Sequence, residues 1–208
     1  MKMLKTTVCF IIAAMMGYNS FAQTTTAKKA KHETVKVAKD TAITVGGAPM
    51  DPAKNIVENA STSNDHTTLV SAVNEAGLTS TLEGAGPFTV FAPTNEAFEM
   101  VGQVGVDSLM LPANKEKLAQ ILNYNVIAGK FTSKDLLQLI AQGNGRADLK
   151  TVEGGTLIAE KKGDRIMLTD ETGTKAFITI RDVNQSNGIV HVVDRVLMPN
   201  TNATTGKL

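Results

Sequence analysis

Apolar positions along this chain change period about two thirds of the way through. Between residues 51 and 142 they recur at helical spacing; beyond residue 157 they alternate or run together as in strands. The spacing predicts a first helix opening at Asp51-Pro52, with Ile56, Val57 and Ala60 on one face. A second spans Thr67 to Ala76, where Leu69, Val73 and Ala76 share a stripe and Gly77 ends it. Short helical segments follow over Asn95–Val101 and Asn114–Tyr124, the latter carrying Leu118, Ile121 and Leu122. Thr132 with Asp135 three positions on reads as a capping box ahead of Leu136, Leu139 and Ile140. Strands are expected over Leu157–Glu160, Arg165–Leu168 and Lys175–Ile180, with turns at Lys162-Gly163-Asp164 and Glu171-Thr172-Gly173. The longest is expected over Ile189–Leu197. One strand, Phe88–Phe91, falls among the helices. The pattern is that of an α+β domain in which this strand inserts into a largely antiparallel sheet.

Two segments about 90 residues apart carry strong punctuation. In the first, the apolar run of Phe88, Val90 and Phe91 is stopped by Pro93. Thr94 or Asn95 can then cap a helix that buries Phe98. In the second, Asn187-Gly188 makes a tight turn, and mostly β-branched residues follow through His191 and Asp194 until Pro199 ends pairing. In this order and spacing the two segments resemble the signature segments of the fasciclin domain, a module of extracellular adhesion proteins, here a single-domain bacterial-type member. The resemblance covers about Asp51 to Pro199. It implies a twisted, wedge-like β-sandwich flanked by several α-helices.

The domain is preceded by two segments of different composition. Residues 1–22 read as an export signal: Lys2 and Lys5, then a short apolar core over Val8–Met16, then Ser20-Phe21-Ala22 before the expected cleavage site. That core is too short to span a bilayer, and no later apolar stretch approaches the necessary length. Residues 23–48 are rich in Thr, Lys and Ala and read as a flexible linker, residues 49–199 as the domain, and 200–208 as a disordered tail. The single cysteine, Cys9, lies in the leader, so the mature chain has no disulfide and no thiolate chemistry. Loss of the leader removes two lysines and leaves 19 basic against 20 acidic residues. A near-neutral chain without tryptophan does not look like a nucleic-acid binder.

Candidate chemistry is sparse. The three histidines, His32, His66 and His191, lack ligand spacing for zinc, and no acidic loop has the calcium pattern. No catalytic, cofactor-binding or metal-binding residue is assigned. Alternation places His191 among apolar neighbours, as a partly buried imidazole whose ring nitrogen bonds a backbone carbonyl or a nearby side chain; no nucleophile elbow accompanies it. Asp194 is expected to find backbone donors on an adjacent loop. The family pattern has a Tyr-His pair where this chain has Tyr124-Asn125. In animal members an Asp-Ile pair ahead of the second segment is linked to integrin binding. Asp182-Val183 stands at that place and is the candidate contact with a partner. Three triplets, at Asn59, Asn184 and Asn202, match the N-glycosylation acceptor, at a length that arises by chance.

The expected function is that of a secreted or periplasmic, cell-surface-associated, non-enzymatic module. It would attach as a monomer to an extracellular or envelope protein or glycan. Two other readings are a carrier of a small apolar ligand in a cleft between helices and sheet, and an envelope-polymer hydrolase using His191.

Overall fold

Strands that are apolar at successive positions must be buried on both faces, and the two signature segments lie side by side with one core packed against each face. The computed structural model describes residues 43–200. The expected leader, the linker up to residue 42 and the tail from residue 201 lie outside the described residues. Phe88–Pro93 and Gly188–Val193 pair in parallel over their whole length, from Phe88 with Gly188 to Pro93 with Val193. The elements before this pair are β1 (Thr44–Val45), β2 (Ala48–Pro49), α1 (Ile56–Ala60), α2 (Thr67–Ala76) and α3 (Thr79–Glu83). The signature strand β3 (Phe88–Pro93) leads into α4 (Asn95–Glu99), α5 (Gln103–Leu109), α6 (Lys115–Tyr124), β4 (Val126–Ala128) and α7 (Ser133–Gln142). The remainder is β5 (Arg146–Lys150), β6 (Thr156–Lys162), β7 (Arg165–Thr169), β8 (Lys175–Gln185) and β9 (Gly188–Val193). The main sheet has the order β4-β3-β9-β8-β7-β6-β5, and only the β3–β9 pair is parallel.

Alternation along β3 divides the interior. Val90 and Ala92 face a core built with Ile56, Leu69, Val73, Phe98, Leu118 and Leu122 of the helices. Phe91 faces a second core, where Leu136 and Ile140 of α7 cover the inner face of β5 to β8. Three helix predictions agree closely with the structure. α2 ends at Gly77 in the left-handed conformation, α4 is capped by Thr94, and α7 opens with the Thr132–Asp135 box.

Four expectations are corrected. The first helix is not capped by Asp51: Asn55 accepts from the Glu58 amide and Glu58 answers with its carboxylate, so the helix begins one turn later. Asp51 instead closes a tight turn onto the Ala53 amide. The linker does not run to residue 48, because residues 43–50 fold back as a hairpin that buries Val45 and Met50 against Val183 and Val192. The last strand stops at Val193 rather than Leu197, and β8, at 11 residues, is the longest. Besides the two strands of the hairpin, four elements were not expected: α3, α5, β4 and β5. α5 buries no residue and so shows no strong apolar period, and β5 alternates charged and buried positions but over only five residues with two small or aliphatic inward side chains, Ala147 and Leu149.

Candidate functional site

The polar groups of the signature strands converge on one side of the β3–β9 pair. Phe91 and His191 occupy the same register position, and their rings stack with centroids 5.9 Å apart. His191 is fully buried. Its Nδ1 accepts the Asp182 backbone N–H at 3.2 Å, and its Nε2 lies 2.9 Å from the Phe131 carbonyl oxygen. An amide can only donate and a carbonyl only accept, so the ring is the neutral tautomer with its proton on Nε2. Burial pushes its pKa below 6.5, opposed by the Phe131 carbonyl and the Asp182 charge.

Asp182 sits at φ 63°, at an irregularity in β8 between Ile180 and Val183. Its Oδ1 accepts the Ser133 amide at 2.6 Å and its Oδ2 accepts the Ser133 hydroxyl. The carboxylate therefore occupies the positive end of α7. Serine, aspartate and histidine are thus neighbours, but not in the arrangement of a hydrolase. The serine proton goes to the carboxylate, and neither ring nitrogen has a lone pair free for a nucleophile. The candidate partner pair is turned inward. Val183 is 2% exposed, and both Asp182 carboxylate oxygens are engaged by Ser133.

The remaining signature residues tie elements together. Asn187 donates to the Leu82 and Gly84 carbonyls at 2.7 and 3.0 Å and accepts the Ile56 amide at 3.1 Å, closing the ends of α3 and α1. Gly188 follows it; a Cβ there would fall inside contact distance of the Phe88 carbonyl. Thr94 caps α4, whereas Asn95 reaches back to α2, accepting the Thr68 amide at 3.0 Å. That role was invisible in the sequence because the start of α2, at Thr67, lies 28 residues upstream. Phe98 is buried in the helical core, and Pro199 is buried beyond the end of the sheet. Asp194 accepts the Phe177 amide at 2.7 Å.

Tyr124 is fully buried; its hydroxyl donates to the Thr156 carbonyl and accepts the Glu171 amide. Burial raises its pKa far above the ordinary tyrosine value. At the family's histidine position, Asn125 donates to the Ile121 and Leu197 carbonyls at 2.7 and 2.9 Å. Its Oδ1 is buried without a hydrogen-bond partner. The same holds for Nε2 of His66, whose Nδ1 lies 2.9 Å from the Ser63 hydroxyl. Burial lowers the His66 pKa, opposed by Asp65 and by the Ala92 carbonyl, which is near the ring without meeting hydrogen-bond geometry. These two orphaned atoms border two apolar voids of about 40 Å³ each, between the first two helices and the sheet. Each is well below the ~150 Å³ that admits benzene, so an apolar cargo requires the helices to part. Of the acceptor triplets, Asn59 is buried and bonded to Asp51 and Gln185. Among the described residues, no three His, Cys, Asp or Glu side chains converge on a metal position. No helix there is long and apolar enough to cross a membrane.

Both buried imidazoles have their pKa values held below 6.5. Below that pH the unfolded chain takes up protons that the folded chain refuses, so stability is complete above it and declines as pH falls. The urea midpoint should stay level from about pH 8 to 7 and drop towards about pH 5, and His66→Asn should make that drop shallower. A midpoint flat over the whole of that range would contradict it.

The parallel signature pair, the antiparallel β4 beside it and the helical cover define a class that sequence comparison also finds. Residues 64–199 match the model of the Fasciclin domain. The chain belongs to the fasciclin domain family. Protein sll1483 of Synechocystis sp. is 38% identical over 155 residues, which are 74% of this chain and 79% of that protein. Transforming growth factor-beta-induced protein ig-h3 of Sus scrofa is 32% identical over 151 residues, 73% of this chain but only 20% of that longer protein. Among solved structures, a FAS1 domain pair from the insect cell adhesion molecule Fasciclin I superimposes with a TM-score of 0.62 at 19% identity. The match covers 70% of this chain and 51% of that one.

Proposed function

We propose that the chain is an exported, non-enzymatic attachment module, directed out of the cell by residues 1–22. One observation carries the reading. The polar groups a chemist would first suspect, His191, Asp182, Ser133 and Tyr124, all serve internal hydrogen bonds. What is left to meet a partner is outer surface rather than a reactive pocket. The adhesion protein whose domain pair shares the fold supports the same reading. Each contact would be modest, and clustering of many copies on a surface would supply avidity.

The test is attachment itself. Beads coated with the mature protein should be retained on envelope or matrix material from the producing organism, and a strain lacking the chain should attach less. Equal retention of bare beads, with no defect in the deletion strain, would overturn the proposal.

A further inference from the structure

Charge is distributed very unevenly over this domain. Residues 43–200 contain 13 basic and 18 acidic side chains. Alternation along the antiparallel strands sends Ala147, Leu149, Leu157, Ala159, Ile166 and Leu168 into the core. The opposite face therefore carries the intervening residues. Six of these are basic: Arg146, Lys150, Lys162, Arg165, Lys175 and, beyond Thr179, Arg181. Asp148 and Glu160 lie on the same face, and Asp164 sits in the turn at its edge. The remainder of the described domain is left with seven basic and fifteen acidic residues.

The two acids on the face are already occupied, Asp148 by Arg146 at 2.8 Å and Glu160 by Lys162 at 3.8 Å. Lys150, Arg165, Lys175 and Arg181 have no acidic partner within ion-pair distance among the described residues. Arg165 and Arg181 line a hollow of about 110 Å³ together with Thr179, Asp164 and the core residues Ile166 and Ile178, where β7 and β8 part beyond the Met167–Phe177 pair. At about 30 Å³ per water molecule, that is room for a carboxylate and its remaining hydration. The Arg165 guanidinium lies 4.1 Å above the Phe177 ring, which holds the planar fork in place while its edges stay free to bond an anion.

We propose that this sheet face binds a carboxylated polysaccharide, a chain of uronate-type sugars, with Arg165 and Arg181 meeting one carboxylate and Lys150 and Lys175 meeting its neighbours. The inference rests on the attachment reading and narrows its partner. Charge complementarity selects a polyanion, and the rest of the face selects its kind. The exposed large apolar side chains, Met100, Val104, Leu111 and Val152, all lie off these strands. The apolar side chains that the face does carry are not exposed, Met167 being buried and Ile158 and Phe177 half-buried, so it offers no exposed apolar anchor of the kind a protein interface or a membrane-inserting surface uses. Its one aromatic, Phe177, is covered by Arg165, so it offers no open ring on which bases could stack. A hydrated, regularly charged polymer needs neither, and gains from meeting several cations at once.

Binding of the mature chain to immobilised alginate is the test, with neutral dextran, a single-stranded DNA oligonucleotide and phosphatidylglycerol vesicles alongside. Alginate should be bound at least tenfold more tightly than each of the others at about 50 mM salt, and more weakly as salt screens the charges. Arg165→Gln with Arg181→Gln should weaken that binding at least tenfold, while Lys54→Gln with Lys117→Gln, on the helical side, should leave it unchanged. Because Arg165 also covers Phe177, the single Arg181→Gln variant carries the test should the double variant melt early; it should bind at least threefold more weakly. Undiminished binding by the folded arginine variants, equal binding to dextran, or a preference for DNA or vesicles would each overturn the inference. If envelope material retains the protein but alginate does not, the inference falls and the attachment reading stands. If neither retains it, both fall.

Discussion

Gly188→Ala should abolish the stable folded domain. The substitution is small, but it falls where two backbones touch. An added Cβ would meet the oxygen, carbon and nitrogen of Phe88, none of which can swing aside as a side-chain tip could. The glycine is required for room and not for an unusual backbone angle, since its φ is not among the positive values of this chain. To admit a methyl group, β9 must withdraw from β3 at the very start of their shared register. Both large cores lie against that pair. A loss of about 4 kcal/mol or more belongs to such backbone conflicts, and a domain of this size has only about 5–15 kcal/mol in total. The measurements are soluble yield and the urea midpoint by circular dichroism. Gly105→Ala, in a helix with only the half-buried Val101 side chain nearby, is the control, and should be neutral or slightly stabilising. A Gly188→Ala protein as stable as its parent would show that the strands are not this close.

His191→Ala should cost about 3–5 kcal/mol, as for other large-to-small changes of a buried ring. Three losses combine. The void left beside Phe91 cannot be filled by a neighbouring strand, because the register holds both strands in place. The Phe131 carbonyl loses its donor, and the Asp182 amide loses its acceptor at a position already held at positive φ. For a domain of this length the melting temperature should fall by roughly 10 °C or more. The effect should appear as lost stability with the far-ultraviolet spectrum of the folded state retained at low temperature. An alanine variant that melts with the parent would place His191 outside the structural framework and reopen a chemical role for it.

Much of this architecture was legible because local signals agreed. The Thr132–Asp135 box, the Gly77 terminator and the two doubly buried strands each combine an apolar period with an explicit boundary. Where the signals diverged, expectation and structure part. Asp51-Pro52 looks like a helix start, yet Asn55 and Glu58 make the reciprocal pair, and the earlier aspartate closes a turn. The apolar run after Ile189 continues past the end of pairing because Val196 and Leu197 are buried as an irregular segment rather than as strand. Site chemistry was less legible still. Nothing local reveals that Asp182 caps a helix beginning 49 residues earlier, or that Asn187 joins the ends of α1 and α3. The basic face was hidden for a different reason. Its charges are scattered over four strands and become one surface only when the sheet forms.

Both cores and the buried polar cluster depend on the side-by-side, same-direction placement of residues 88–93 and 188–193. Long-range NMR contacts between backbone protons of the two segments test this most directly. Contacts should connect Val90 with the neighbourhood of Val190 and Ala92 with that of Val192, advancing together along both strands. Contacts that run in opposite directions, or none between the segments, would contradict it.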